Sequence, residues 1–422
     1  MLVLSKSIGK ILMKSQKLIK KKNSLSWRFS KKERSYIKEV LDSGFASSTS
    51  GNMNTRLENA FAKRFNRNFA ITFNSGTTTL HAALESFGVG YGDEVIVTPL
   101  TVISCMNAIL FCNAIPVFAD IDPKTFLIDP KDMEKKITKK TKAIMAVHIY
   151  GQVCDMTSIM KIASKHNLYV LEDCAQCFLG THKGKLGGTF GQASSWSFEN
   201  SKHLTTGDGG IITCDDESLG DKMRKLGCQG FKNATARSGK IRISKSMFQN
   251  PLFKRHDIFG YSYRLPEVAA AVGLGQIEKI DWFVKKRVKM AKMYSDVIIS
   301  ENCKWLIPQH VPKRDHNSYY AYAVKFMHKK VSWEEFRKRY IKNGGDGIYA
   351  AWSLCYQEDL IPEIKHRLNK LGLKNRLNAD KGICPIAENI QPILMQLTTN
   401  QKDISDMRMQ AKALKKTIKY FS

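Results

Sequence analysis

No apolar run in this chain of 422 residues approaches the roughly 20 needed to cross a bilayer, so a membrane-spanning helix is not expected. Acids are in short supply: 38 Asp and Glu stand against 67 Lys and Arg, a formal net charge of +29. That excess suits nucleic acid, an anionic membrane or a phosphorylated small molecule, and a lysine-rich surface with no such partner accounts for it equally well. Zinc-finger spacings and RNA-binding aromatic motifs are missing, so nucleic acid is not an expected partner. Cys174 and Cys177 form a CxxC, but no second pair lies at zinc-ligand spacing; the two read as packing and no metal is expected. A signal-peptide core with a small-residue cleavage site is also missing. The ten cysteines therefore read as reduced thiols of a cytoplasmic protein rather than a disulfide framework. There is no internal repeat and no low-complexity segment.

What is present is enough chain, 43% hydrophobic, for one large core and a smaller lobe. Residues 1–22 hold seven lysines and no acid, with apolar residues at near-helical spacing. A loosely docked leader, a basic membrane-surface helix and an organellar transit peptide are the competing readings. Helices are expected over 30–41 and 56–65, with a Ser, Thr, Gly and Asn-rich loop at 47–54. From 69 to 214 short apolar runs (70–73, 94–98, 116–120, 143–148, 169–171, 194–198 and 210–214) alternate with helical patterns such as 77–87, 102–112 and 155–166. This rhythm predicts an α/β fold whose large domain carries a mostly parallel seven-stranded sheet flanked by helices, with a smaller α/β C-terminal domain. The expected division is a basic extension at 1–26, a large domain at 27–285 and a small one at 286–422. Ligands on such sheets bind beyond the carboxyl ends of the strands, where Asn74, Asp173 and Asn200 emerge. A helix over 217–226 precedes the segment 231–257, which is rich in Lys and Arg; a basic loop and a pyrophosphate clamp are both open readings. A helical pattern over 265–290 then leads into the small domain.

The stretch SSWSFENSKHLTTGDGGIITC, residues 194–214, reads as a strand, an exposed polar corner carrying Lys202, and a returning strand. On spacing alone a lysine at such a corner is far more often a solvated surface charge than a catalyst. Asp173 follows an apolar run and would cap a helix or present its carboxylate at a strand end. Gly76 and Thr77 open a helix directly after a strand, so their amide groups favour an anion; an ordinary Ser/Thr cap without ligand is the alternative.

Read together, NSGTTTL (74–80), EDCAQ (172–176) and SKHLTTGDGG (201–210), with GDEVIVTPLT, PVFADIDP, VHIYGQ and GYSYRLPEVAAAVGLGQIE between and after them, change those odds. In order and spacing the chain resembles the DegT-type nucleotide-sugar aminotransferases, from about Trp27 to the C-terminus. The resemblance implies the aspartate-aminotransferase-like fold, fold type I of the pyridoxal-phosphate enzymes, and pyridoxal 5'-phosphate as cofactor. By it, Lys202 forms the Schiff base and shuttles the proton, and Asp173 keeps the pyridine nitrogen protonated. Gln176 bonds near the ring hydroxyl. Gly76, Thr77 and Ser197 hold the phosphate.

Two positions depart from the family pattern. Val102 stands where an aromatic residue stacks on the ring, and Ser262 where an asparagine of the neighbouring subunit touches the phosphate. Valine gives van der Waals cover but forgoes about 0.5–1.5 kcal/mol of stacking. The implied function is transfer of an amino group, with glutamate as donor, to a keto group of a nucleotide-linked sugar. The product would enter surface polysaccharide or another glycoconjugate, and the enzyme would be a homodimer. A sugar dehydratase using the same cofactor is an alternative, although such relatives have histidine in place of the lysine. A non-catalytic regulatory or binding protein that keeps the fold is another, and Val102 and Ser262 are what permit it.

Overall fold

The computed structural model describes residues 26–241 and 243–422. The readings of 1–22, and the extension assigned to 1–26 apart from Ser26, lie outside these residues. Among the described residues no helix is long and apolar enough to cross a membrane.

The large sheet has seven strands: β1 (Phe69–Phe73), β2 (Glu94–Val97), β3 (Ile115–Phe118), β4 (Thr141–Val147), β5 (Tyr169–Asp173), β8 (Ala193–Ser197) and β9 (Gly210–Cys214), with a short ribbon of β6 (Thr181–His182) and β7 (Lys185–Leu186) between β5 and β8. Their spatial order is β1-β9-β8-β5-β4-β2-β3. Pairings among β3, β2, β4, β5 and β8 are parallel, and only β9 runs against its neighbours. Strands β1, β2, β8 and β9 are buried at every residue. Both faces are covered by helices, which is why these segments read as unbroken apolar runs rather than alternating ones. The expected mostly parallel seven-stranded sheet is therefore present, with each expected run falling on its strand to within two residues at either end.

Under the sheet Phe61, Phe65, Phe178, Trp196 and Phe198 form one aromatic cluster, with Phe61 and Trp196 centroids 5.0 Å apart. Burial of each such ring contributes about 1.5–3 kcal/mol. The cluster anchors β8, the strand that leads into Lys202.

A second sheet, β10 (Leu306–Pro308), β11 (Ala321–Phe326), β12 (Ile348–Ala350) and β13 (Leu394–Thr398), is antiparallel in the order β10-β11-β13-β12. Helices Ile280–Ser300, Trp333–Lys342 and Ile404–Phe421 supply Tyr294, Phe336, Tyr340 and Leu414 to its core. The division expected at 285/286 falls inside the helix Ile280–Ser300. Moreover, Leu354, Cys355, Tyr356, Ile364 and Leu368, which lie between β12 and β13, pack into the core of the large sheet. The helical pattern over 265–290 also resolves into two helices, Glu267–Ile277 and Ile280–Ser300. At the break the Lys279 ammonium turns to the Glu33 carboxylate and the Arg28 carbonyl.

Candidate active site

Strand register decides what meets at the carboxyl edge of the sheet. Gly210 of β9 pairs with Phe73 of β1 on one side and Ser197 of β8 on the other, and Asp173 pairs with Ser195. The turn after β1 and the turn after β8 therefore leave the sheet at one level. Gly210 permits this closeness: a Cβ there would sit 2.6 Å from the Ser75 carbonyl oxygen. Beyond these ends lies a cavity of about 300 Å³ lined by Gly76, Thr77, Val102, Asp173, Ser197 and Lys202, together with Leu80, Ser104, Ala175, Glu199, Ser201, Asp208, Gly209, Tyr320 and Trp352.

Lys202 is 7% exposed, so it is not a solvated surface charge. Its Nζ lies over the Tyr320 ring, 4.8 Å from the centroid, and the Tyr320 hydroxyl shares a 2.7 Å hydrogen bond with Ser201. Asp173, also 7% exposed, does not cap a helix, because a turn and not a helix follows it. Its Oδ1 accepts from the Ala175 amide at 2.9 Å and its Oδ2 from the Cys105 thiol at 3.1 Å. Burial, then the Asp173 charge, push that thiol well above its ordinary range, so it stays protonated and can donate.

The helix Gly76–Ser86 starts in the same cavity. Ser75 caps it by accepting from the Thr78 amide at 3.2 Å, while the first amides of a helix have no intrahelical acceptor. A Cβ on residue 76 would lie 2.8 Å from Ser197 Cβ, so glycine is what lets this helix end approach Ser197.

Two expected site residues do not line the cavity. Gln176 accepts from the Tyr150 amide at 3.0 Å, supporting a residue held at φ 61°. Ser262 pairs with Cys228 in an isolated bridge, and its sequence neighbours Tyr261 and Tyr263 stack on each other with ring centroids 4.8 Å apart. Neighbouring Glu172 is structural: it is fully buried, accepts from the amides of Gly188, Phe190 and Gly191 at 2.7 Å each, and meets His148 at 3.0 Å. The CxxC residues Cys174 and Cys177 are buried free thiols. In the segment 231–257, Arg237 is held by Glu217 and Asp257 by Lys225.

Sequence reasoning missed Cys105, Tyr320, Trp352 and two buried arginines, Arg28 and Arg287. Ala175 sits inside a motif already singled out and Ser104 two residues from Val102, but Tyr320 and Trp352 are more than a hundred residues from Lys202 and no local pattern marks them.

The model of the DegT/DnrJ/EryC1/StrS aminotransferase family matches residues 28–356. GDP-perosamine synthase of Escherichia coli O157:H7 is 39% identical over 284 residues, 67% of this chain and 72% of that protein. The spore coat polysaccharide biosynthesis protein SpsC of Bacillus subtilis is 36% identical over 301 residues, 71% of this chain and 75% of that protein. Among solved structures, an aminotransferase from Psychrobacter cryohalolentis superposes with a TM-score of 0.80 at 27% identity, covering 93% of this chain and 98% of its own.

Proposed function

From its membership of the DegT/DnrJ/EryC1/StrS aminotransferase family, to which this chain belongs, we propose that it transfers an amino group to the keto carbon of a nucleotide-linked sugar, with glutamate as donor. The product serves surface polysaccharide or another glycoconjugate. The chain is a pyridoxal-phosphate-dependent aminotransferase, and the names of its relatives support the sugar as acceptor. The observation that carries the reading is the meeting of Lys202, Asp173, Ser197 and the Gly76 helix end in one cavity.

The residues present fit pyridoxal phosphate. The space left by the missing Cβ of Gly76, the free first amides of its helix and the Ser197 hydroxyl would hold the phosphate. Asp173 would bond the ring nitrogen, its carboxylate already oriented by Cys105 and Ala175. Val102 and Ala175 would flank the ring as cavity walls. When bound, the cofactor supplies an electron sink for negative charge developing on the substrate carbon. Lys202 contributes the amine for its covalent attachment and, once released, the base that carries a proton to or from that carbon. Burial around Lys202 keeps bulk water from competing for that proton.

The dehydratase alternative places histidine where this chain has lysine. His203 does not substitute: it is fully buried, outside the cavity lining, and its Nε2 meets the Ser318 carbonyl at 3.0 Å. Burial first, and then the charge of Arg287, hold its pKa well below the usual imidazole value. We also assign the working form as a homodimer in which Ser262 faces the site of a second copy.

The test is mass spectrometry of uridine-, guanosine- and thymidine-linked keto sugars incubated with enzyme, pyridoxal phosphate and glutamate. One of them should acquire an amine. A Lys202→Ala protein that keeps the visible absorption band of lysine-bound cofactor would defeat the assignment. A catalytically competent monomer on sizing would defeat the dimer.

A further inference from the structure

Four arginines are buried among the described residues, and they fall into two pairs of different character. Arg67 and Arg224 have carboxylate partners, Asp215 at 2.9 Å and Glu58 at 2.6 Å. Arg28 and Arg287, 2% and 5% exposed, have no carboxylate within ion-pair distance among the described residues. Burying a cation without a counter-charge is costly, so such an arrangement persists only where something else is gained.

Both unpaired guanidiniums converge on one turn. Arg28 donates to the carbonyls of Asn200 at 2.7 Å, Lys202 at 2.5 Å and His203 at 3.0 Å. Arg287 reaches the carbonyls of Ser201 at 3.1 Å and Lys202 at 3.5 Å. Its other nitrogen donates to the Tyr320 carbonyl at 2.7 Å and to Thr399 Oγ1 at 3.2 Å, which ties the Lys202 turn to the small sheet. Arg28 is itself held through its carbonyl, which accepts from Gln276 Nε2 at 3.0 Å and Lys279 Nζ at 3.2 Å. Four successive carbonyls, 200–203, are thus gripped by two planar forks. The planar fork fixes several carbonyl directions at once, which a single amide does not.

We infer that Arg28 and Arg287 are positioning residues that lock the backbone of the Lys202 turn, and with it the place from which the Lys202 side chain enters the cavity. The inference rests on the assignment of Lys202 as the cofactor-attaching amine. Burial lowers Arg28 to about 10 and Arg287 to about 9, so both remain cations at neutral pH.

The experiment uses the full chain loaded with pyridoxal phosphate and measures kcat and KM beside the visible band recorded without substrate. Arg28→Gln and Arg287→Gln, which keep a donor but lose the planar fork, should each lower kcat several-fold at unchanged KM while the visible band of lysine-bound cofactor persists. Arg28→Lys and Arg287→Lys, which keep the charge but also lose the fork, should do the same. Thermal midpoints of the cofactor-free proteins identify any variant that fails to fold. If a glutamine variant does not fold, the lysine variant at that position decides: a wild-type kcat there overturns the positioning role. Folded glutamine variants with wild-type kcat and KM likewise overturn it. A wild-type protein with no visible band overturns instead the Lys202 assignment beneath the proposal.

Discussion

The Cys105 thiol donates to Asp173 Oδ2 at 3.1 Å from the first turn of the helix Ser104–Phe111, while the Ala175 amide takes Oδ1. A carboxylate fixed by one weak and one strong donor keeps its orientation and retains lone pairs for a third group. This is what an anchor for a protonated ring nitrogen needs.

Asp173→Asn keeps the shape and removes the charge. We expect kcat to fall on the order of 10²- to 10³-fold, the range typical of losing one preorganised electrostatic contact. Lys202 should still bind the cofactor covalently. Steady-state rates beside the visible spectrum check this, and a variant with near wild-type kcat would remove Asp173 from the mechanism.

All ten cysteines are buried and free. Burial pushes Cys177, Cys355 and Cys384 up to about 12 and Cys105 and Cys174 well above the ordinary thiol range. A chromogenic disulfide reagent at pH 8 should therefore find almost no fast-reacting thiol in the native protein and all ten after unfolding. A rapid stoichiometric reaction in the native state would contradict the burial.

Val102 lines the cavity without an aromatic face to offer. Val102→Phe should tighten cofactor binding by about 0.5–1.5 kcal/mol, roughly two- to tenfold in dissociation constant. Spectrophotometric titration of the cofactor-free enzyme measures it. Unchanged affinity would mean that position 102 does not face the ring.

Glu33 is the N3 residue of a capping box with Ser30 and also meets the Lys279 ammonium. Burial raises its pKa, but Lys279 and the Ser30 hydroxyl and amide outweigh this and bring it down to about 2. A carboxyl depressed in the folded state stabilises above its unfolded value near 4.5, and that contribution is lost as pH falls toward 2. Glu33→Gln should lower the melting temperature at pH 7, with the gap to wild type closing between about pH 4.5 and pH 2. A gap that is constant with pH would rule out the ionised pair as its source.

The local features were legible because they are local. Alternation of apolar runs and helical spacing announced the large sheet, and Ser75-Gly76 after an apolar run announced the helix end that meets Ser197. Apolar flanks around a polar corner marked the Lys202 turn. None of these needs information from beyond a dozen residues. The sequence by itself also marked Asp173, through its place at the end of an apolar strand and its match to the family motif. Tertiary structure alone decided that the Gln176 side-chain oxygen meets the Tyr150 amide. It also decided that 354–368 return to the large-sheet core, and that Arg28 and Arg287 close on the lysine turn from 174 and 85 residues away. Contacts that distant are set by the packing of whole layers and by the cost of burying charge, neither of which leaves a periodic trace along the chain.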